Sequence, residues 1–295
     1  MDIIKVILLS IVEGITEFLP VSSTGHLIIV NEFVALEPVN FSNAFNIIIQ
    51  LGAILSVVVV FFDRLNPISE TKLDIRRVPA KYKDWNWQTR LWYRVGHADK
   101  KTIDLWKKVI VGVLPAMVLG LLFDDLIDEH LMKTEVVVIT LMVYGLLLLY
   151  IEGKKKSGEG VRYQTTEDFT YKTALLIGLF QCLAMVPGTS RSAATIIGAM
   201  LLGASRMAAA EFSFFIAIPT MLGASFLKVI KNIGNFSAGQ WMMILVGFIL
   251  SFLVAYIVIR RFMAYIQNHD FKIFGIYRIG LSILLILLMV SGIIG

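Results

Sequence analysis

The chain is predicted to be an all-α polytopic membrane protein built as an inverted repeat, each half one re-entrant helical hairpin followed by three transmembrane helices. Three observations predict this. Of its 295 residues, 57% are hydrophobic and the mean hydropathy is +0.77, whereas soluble domains are about 45–50% apolar. The apolar residues fall into blocks of about twenty, each long enough to cross about 30 Å of hydrocarbon as a helix. Two further apolar stretches are interrupted by short polar clusters, Glu13 to His26 and Pro187 to Ser192.

From the N-terminus, Ile3 to Val12 covers only about half a bilayer at 1.5 Å per residue, meets Glu13-Gly-Ile-Thr-Glu17, breaks at Pro20 and resumes at Leu27 to Ala35. Met1 to Val12 lacks a basic start and a small-residue cleavage site, so it is not read as a signal peptide. Three full crossings follow, Ala44 to Phe62, Val109 to Phe123 and Val136 to Ile151. Ala174 to Val186 then stops at Pro187-Gly188 and resumes at Ala193 to Leu202, and Ala209 to Ile230, Trp241 to Ile259 and Ile273 to Ile294 complete the second set. Broken helices are tolerated at membrane depth only where protein or a watery cavity satisfies the freed backbone, so each break predicts a cavity.

The halves resemble each other. Pro20-Val-Ser22-Ser23 lines up with Pro187-Gly-Thr189-Ser190, and the same offset places Phe45 on Phe212; Ser10-Ile-Val-Glu13 matches Gly178-Leu-Phe-Gln181 if one residue is skipped. Residues 1–295 are therefore read as a single integral membrane domain, with repeat one about 1–151, carrying a basic loop 63–108, and repeat two about 171–295. A hairpin plus three crossings turns the second half upside down relative to the first.

Lys and Arg concentrate in Asp63 to Lys108, in Lys154 to Lys172 and around Arg260-Arg261 and Lys272, all on one face of the predicted topology. The positive-inside rule makes that face cytoplasmic. Asp124-Asp125-Leu-Ile-Asp128-Glu129, the Asn232 to Gly239 turn and both termini then lie outside. With the net charge of +5 explained by these loops, nucleic acid is not an expected partner. For the basic loop, with Trp85, Trp87, Trp92 and Tyr93, two readings stand: contact with the anionic inner leaflet, or a solvated insertion. The single Cys182 excludes an internal disulfide or thiolate metal cluster and is read as packing.

Chemistry is expected at the breaks. Glu13 and Glu17 stack on one helical face, where like charges repel unless a cation or a shared proton lies between them. A charge near mid-bilayer costs about 2.5–3.5 kcal/mol, which makes a functional role the default; the alternative is a surface helix with solvated acids. Pro20-Val-Ser22-Ser23-Thr24-Gly25-His26 adds hydroxyls and an imidazole, an acid–base and nucleophile set suited to hydrolysis. Pro187-Gly188-Thr189-Ser190-Arg191-Ser192 opens a half-helix whose free N–H groups and dipole favour an anion, with Arg191 offering a planar fork for phosphate oxygens. The alternative makes the hydroxyls helix caps and Arg191 a partner for an acid. Asn43, Asn46 and Gln50 share one face of the next block and are expected to point into the bundle. Arg206 and Glu211 are left outside the site. A phosphate ester reachable from the membrane fits these groups best, and the acids can hold a divalent cation.

Glu13-Gly-Ile-Thr-Glu17-Phe-Leu-Pro-Val-Ser-Ser-Thr-Gly-His26 and Pro187-Gly-Thr-Ser-Arg-Ser192 resemble the two signatures of the undecaprenyl-diphosphate phosphatase family, the bacitracin-resistance type. Gln50-Leu-Gly-Ala53, Leu114-Pro-Ala116 and Phe212-Ser-Phe214 extend the resemblance over nearly all of the chain outside the basic loop. It implies removal of the terminal phosphate from a C55 isoprenoid diphosphate in the bacterial plasma membrane, recycling the carrier for peptidoglycan synthesis and conferring bacitracin resistance. A divalent cation, Mg²⁺ or Ca²⁺, and an outward-facing site come with it. Carried over, Glu13 and Glu17 bind metal or assist as base, His26 acts as acid–base, and Ser23 is nucleophile or phosphate ligand. Arg191 joins Glu13, Glu17, Ser23 and His26 as catalytic, while Ser22, Thr24, Gly188, Thr189, Ser190 and Ser192 bind substrate. Ser23 and water both remain open as the nucleophile, and oligomeric state is open, a homo-oligomer included.

A transporter or lipid flippase is the rival from another class, because inverted repeats with opposed re-entrant tips are transporter architecture. The density of hydrolytic groups at one tip weighs against it. A phosphatidic-acid-type phosphatase is disfavoured because no His follows Ser190-Arg191.

Overall fold

The structure, a computed structural model, describes residues 2–34, 36–74, 78–131, 133–154, 160–232 and 236–294. Among them the chain is all helical: α1 (Asp2–Thr16), α2 (Ser23–Val34), α3 (Val39–Val60), α4 (Phe62–Leu65), α5 (Trp87–Gly96), α6 (Lys100–Leu131), α7 (Thr134–Lys154), α8 (Tyr171–Cys182), α9 (Arg191–Leu201), α10 (Arg206–Asn232), α11 (Ala238–Ile266) and α12 (Lys272–Val290). Residues 75–77, 155–159 and 233–235 of the expected loops lie outside the described residues, as do the side chains of Asp124, Asp125, Asp128 and Glu129.

Five helices are long and apolar enough to cross a membrane: α3, α6 over Lys100–Phe123, α7, α11 and α12. The chain is thus a multi-pass membrane protein. The sixth expected crossing is the 27-residue α10, whose Ala208–Ala210 and Phe212–Ile218 are buried in the bundle. Apolar outer faces with exposed Leu121, Ile139, Ile257 and Leu287 suit hydrocarbon rather than water.

Helix starts follow hydroxyl and amide caps. Thr170, Ser190 and Ser237 accept from the N–H three residues on, and Ser237 with Gln240 forms a reciprocal capping box. The same chemistry corrects the expected half-helix boundaries. The second leg of the first pair starts at Ser23 rather than Leu27, because Ser22 Oγ accepts from Gly25 N at 3.3 Å. The second leg of the other pair starts at Arg191 rather than Ala193, capped by Ser190. Upstream, α8 ends at Cys182, and a 3₁₀ turn Leu183–Met185 bridges to the break.

Packing pairs α3 with α11 and α10, α7 with α12, α1 with α11, and α6 with α8. Small residues set the closest crossings. A Cβ on Gly52 would strike the Phe248 carbonyl, and one on Gly178 the Gly112 carbonyl. A phenylalanine-rich core of Phe18, Phe61, Phe212, Phe214, Phe215, Phe262 and Phe271 lies beneath the two breaks, with Phe18 edge-on to Phe214 at 5.4 Å. Asn43 is exposed, contrary to expectation, although Phe41, Ser42, Ala44 and Phe45 around it on α3 are buried; Asn46 and Gln50 are half-buried.

Candidate active site

The last turn of α1 carries Glu13, fully buried, and the chain adds Glu17 one turn on through Glu17 N to Glu13 O at 3.0 Å. Neither oxygen of Glu13 has a hydrogen bond of good geometry, although Glu17 and Gln50 lie beside it. Glu17 is better served. Ser23 Oγ donates to its Oε2 at 3.1 Å, and Arg191 Nη2 donates to its Oε1 at 3.3 Å. Burial of this ion pair, with side chains 9% and 12% exposed, means that either charge alone would be strongly disfavoured.

Both breaks turn on a serine with left-handed backbone, Ser22 at φ 74° and Ser190 at φ 70°. Non-glycine residues adopt this region at a cost, and such strain collects where side chains must be aimed. Each serine immediately precedes and caps a helix, so the two turns are local equivalents. Their spacing of 168 residues is one more than the Pro20–Pro187 alignment, and it pairs Glu13 with Gln181 and Ser10 with Gly178 without a skipped residue. Gly188 at φ +82° completes the second turn, where a Cβ would strike Thr140 Oγ1 and Val137.

The two breaks touch. Ser192 Oγ donates to Leu19 O at 2.9 Å and shares a 2.9 Å bond with Ser190 Oγ; Arg191 Nη1 also holds Ser213 O at 3.1 Å. A fully buried residue not anticipated from the sequence clamps both. Arg278 of α12 donates from Nη1 to Pro20 O at 3.3 Å and from Nη2 to Gly188 O and Thr189 O at 2.8 and 3.0 Å. Its sequence signal is one guanidinium in an otherwise uncharged run from Ile273 to Ile294, expensive in hydrocarbon without partners.

Among the described residues His26 bonds to neither acid. Its Nδ1 lies 2.7 Å from Ser22 O and its Nε2 2.6 Å from Tyr277 Oη. The carbonyl can only accept, so Nδ1 carries a proton, and in the neutral ring Nε2 accepts from the Tyr277 hydroxyl. The pair borders an apolar groove of about 450 Å³ lined with Ile15, Leu19, Val21, Ile273 and Phe274, a volume typical of ligand sites. Tyr277 was not anticipated; a tyrosine in a membrane helix carries no distinctive sequence signal.

The structure therefore gathers Glu13, Glu17, Ser23, Thr189, Ser190, Arg191 and Ser192 at one junction, with Ser22 and Gly188 shaping the turns. Thr24 is half-buried on the first turn of α2. Arg206 and Glu211 lie in other ion pairs, with Glu152 at 2.6 Å and Arg64 at 3.2 Å. Among the described residues no group of three or more His, Cys, Asp or Glu converges. The Glu13 oxygens, which lack hydrogen-bond partners of good geometry, are the hard donors a divalent cation takes, so the residues fit such an ion with phosphate oxygens completing its shell.

Similarity to known proteins extends over nearly the whole chain. Residues 6–284 match the family model described as Bacitracin resistance protein BacA. The chain is 48% identical over 290 residues to undecaprenyl-diphosphatase 1 of Clostridioides difficile (strain 630), covering 97% of this chain and 96% of that one. It is 47% identical over 292 residues to undecaprenyl-diphosphatase of Lacticaseibacillus paracasei, covering 98% of each. With undecaprenyl-diphosphatase of Fusobacterium nucleatum subsp. nucleatum it shares 48% over 288 residues, 96% of this chain and 99% of that one. With both motifs folded into one buried junction and the match running almost end to end, the chain belongs to the bacitracin-resistance protein BacA family.

Proposed function

We propose that this protein hydrolyses undecaprenyl diphosphate to undecaprenyl phosphate and inorganic phosphate, recycling the lipid carrier for peptidoglycan synthesis and conferring bacitracin resistance. The observation that carries the reading is the buried Ser23–Glu17–Arg191 chain, which joins a hydroxyl, a base and a phosphate-binding fork across the two breaks. The relatives' shared name, undecaprenyl-diphosphatase, supports the same substrate.

In this mechanism the terminal phosphate enters between the breaks, where Arg191 and the N–H groups opening α9 hold its oxygens. Ser23 Oγ attacks phosphorus while its proton passes to Glu17, and the P–O bond to the lipid monophosphate breaks. Glu17 passes that proton to the departing lipid monophosphate; water then attacks the phosphoserine, giving a proton to Glu17, which returns it to Ser23 Oγ as inorganic phosphate leaves. The Ser23–Glu17 hydrogen bond favours this route over direct attack by water. His26, supported by Tyr277, supplies acid–base capacity on the groove side. Glu13 and Glu17 would hold a divalent cation, Mg²⁺ or Ca²⁺, which when bound would supply positive charge against the phosphate. The isoprenoid next to the diphosphate lies in the apolar groove.

The inverted-repeat topology is part of the proposal: α1–α2 and α8–α9 are re-entrant hairpins in a multi-pass plasma-membrane protein, with both termini outside and the site reached from outside. Exchange of the halves maps α1 on α11 onto α8 on α6, the pairing a pseudo-twofold requires. One observation favours lipid transport as a second activity. The groove is bounded by Tyr265 and Phe274, which flank the α11–α12 connection on the basic-loop face, so a bound tail lies toward the leaflet opposite the expected entrance.

Purified protein in detergent is expected to release phosphate from a polyprenyl diphosphate, to stop on addition of chelator and to restart with Mg²⁺ or Ca²⁺. No release overturns the assignment; undiminished release in chelator overturns the cation alone. For transport, a catalytically inactive variant that moves labelled lipid phosphate across liposomes supports the second activity, and no movement dismisses it.

A further inference from the structure

Within the 63–108 loop, α5 turns its apolar side chains outward. In α5, Trp87, Leu91, Trp92 and Val95 are 72%, 37%, 76% and 49% exposed. At 3.6 residues per turn they share an arc of about 140°, with Gln88 the polar residue among them. The cationic side chains that would cover such a face are turned away. Arg90 donates to the carbonyls of Trp85 and Lys83, and Arg94 donates to Ile68 O at 2.6 Å and reaches Glu70 at 3.5 Å. Beneath the helix Tyr82, Trp85 and Tyr93 form an aromatic cluster with centroids 5.4–5.6 Å apart.

The loop is also fastened to the bundle. Trp106 Nε1 donates to Leu65 O at 2.8 Å, and Lys72 Nζ reaches Thr102 Oγ1 at 2.7 Å, close to where α3–α4 ends and α6 begins. Only residues 97–99 separate α5 from α6, a reach of at most about 14 Å. The loop holds 12 Lys and Arg against 6 Asp and Glu, an excess larger than the +5 of the whole chain. Lys81, Lys83, Lys100 and Lys101 are exposed. Outward tryptophans on a short amphipathic helix, rimmed by lysines and tethered to a membrane-crossing helix, match an interfacial helix in chemistry and place.

We propose that α5 docks on the anionic lipid surface beside its own bundle, with Trp87, Leu91, Trp92 and Val95 in the headgroup layer and the surrounding lysines against lipid phosphates. The charge excess selects anionic lipid over a neutral surface. This assignment stands independently of the proposed reaction.

The test uses the full chain with Cys182→Ser, carrying Val95→Cys or Thr89→Cys labelled with an environment-sensitive fluorophore. Each variant is placed in single-copy nanodiscs of phosphatidylcholine and phosphatidylglycerol containing headgroup-proximal spin-labelled lipid, after a thermal-unfolding check that the fold is intact. Position 95 is expected to be blue-shifted and quenched roughly twofold more than position 89, and less so in discs of phosphatidylcholine alone. Equal quenching at both positions overturns the proposal, as expected of a solvated insertion or a face kept for a protein partner. Equal quenching in neutral and anionic discs overturns the anionic selectivity.

Discussion

A guanidinium buried between carbonyls and carboxylates is stable only while its acid is present, and the acid only while the guanidinium is. Arg191→Ala would leave Glu17 beside Glu13 without a cation, so phosphate release is expected to fall by about 10²-fold or more. Arg191→Lys restores charge but not the fork, and is expected to recover only part of the loss. Turnover assays on monodisperse protein check both. At the left-handed Ser22, glycine relieves the backbone while a β-branched residue strains it, so Ser22→Val is expected to lower thermal stability by about 1–2 kcal/mol more than Ser22→Gly. Glu13, Glu17 and Arg191 were legible in the sequence because charge in an apolar run is costly. Arg278 carries the same signal, but it sits inside an uninterrupted crossing, and only the folded breaks reveal the three carbonyls that hold it.

At the scale of helices, contact surfaces depend on residues that lack side chains. Gly52 and Gly178 let α3 approach α11 and α8 approach α6, so alanine at either is expected to cost about 1–3 kcal/mol, read by thermal unfolding in detergent. Arg278→Met keeps volume and removes the clamp on both breaks. It is expected to depress turnover more than it depresses stability, since Pro20, Gly188 and Thr189 lose their common donor. Long helices were plain from apolar runs of crossing length, whereas their ends were not. The caps at Ser22 and Ser190 start α2 and α9 earlier than hydropathy does, because hydroxyl capping is indifferent to whether the following residues are apolar.

Across the whole molecule, two half-chains bring unlike chemistry to one junction: acids and Ser23 from the first, a cation and helix-opening amides from the second. The sequence suggests the proposed repeat only with a skipped residue, whereas the two left-handed serines, 168 residues apart, offer a register that aligns Glu13 with Gln181 without one. Proximity along the chain groups His26 with the acids, and the fold adds a partner the sequence does not signal, Tyr277 at the edge of the groove. The proposed topology, with both termini outside, predicts that an impermeant thiol reagent on intact cells labels a cysteine at Asp2 but not at Lys83. The reverse pattern would invert the topology. Whether both breaks form one phosphate-handling site is read from a double-mutant cycle on phosphate release with Glu17→Gln and Arg191→Lys. If the pair acts as a unit, the double variant is expected to be no slower than the slower single variant. Losses that multiply, as for independent sites, would contradict it.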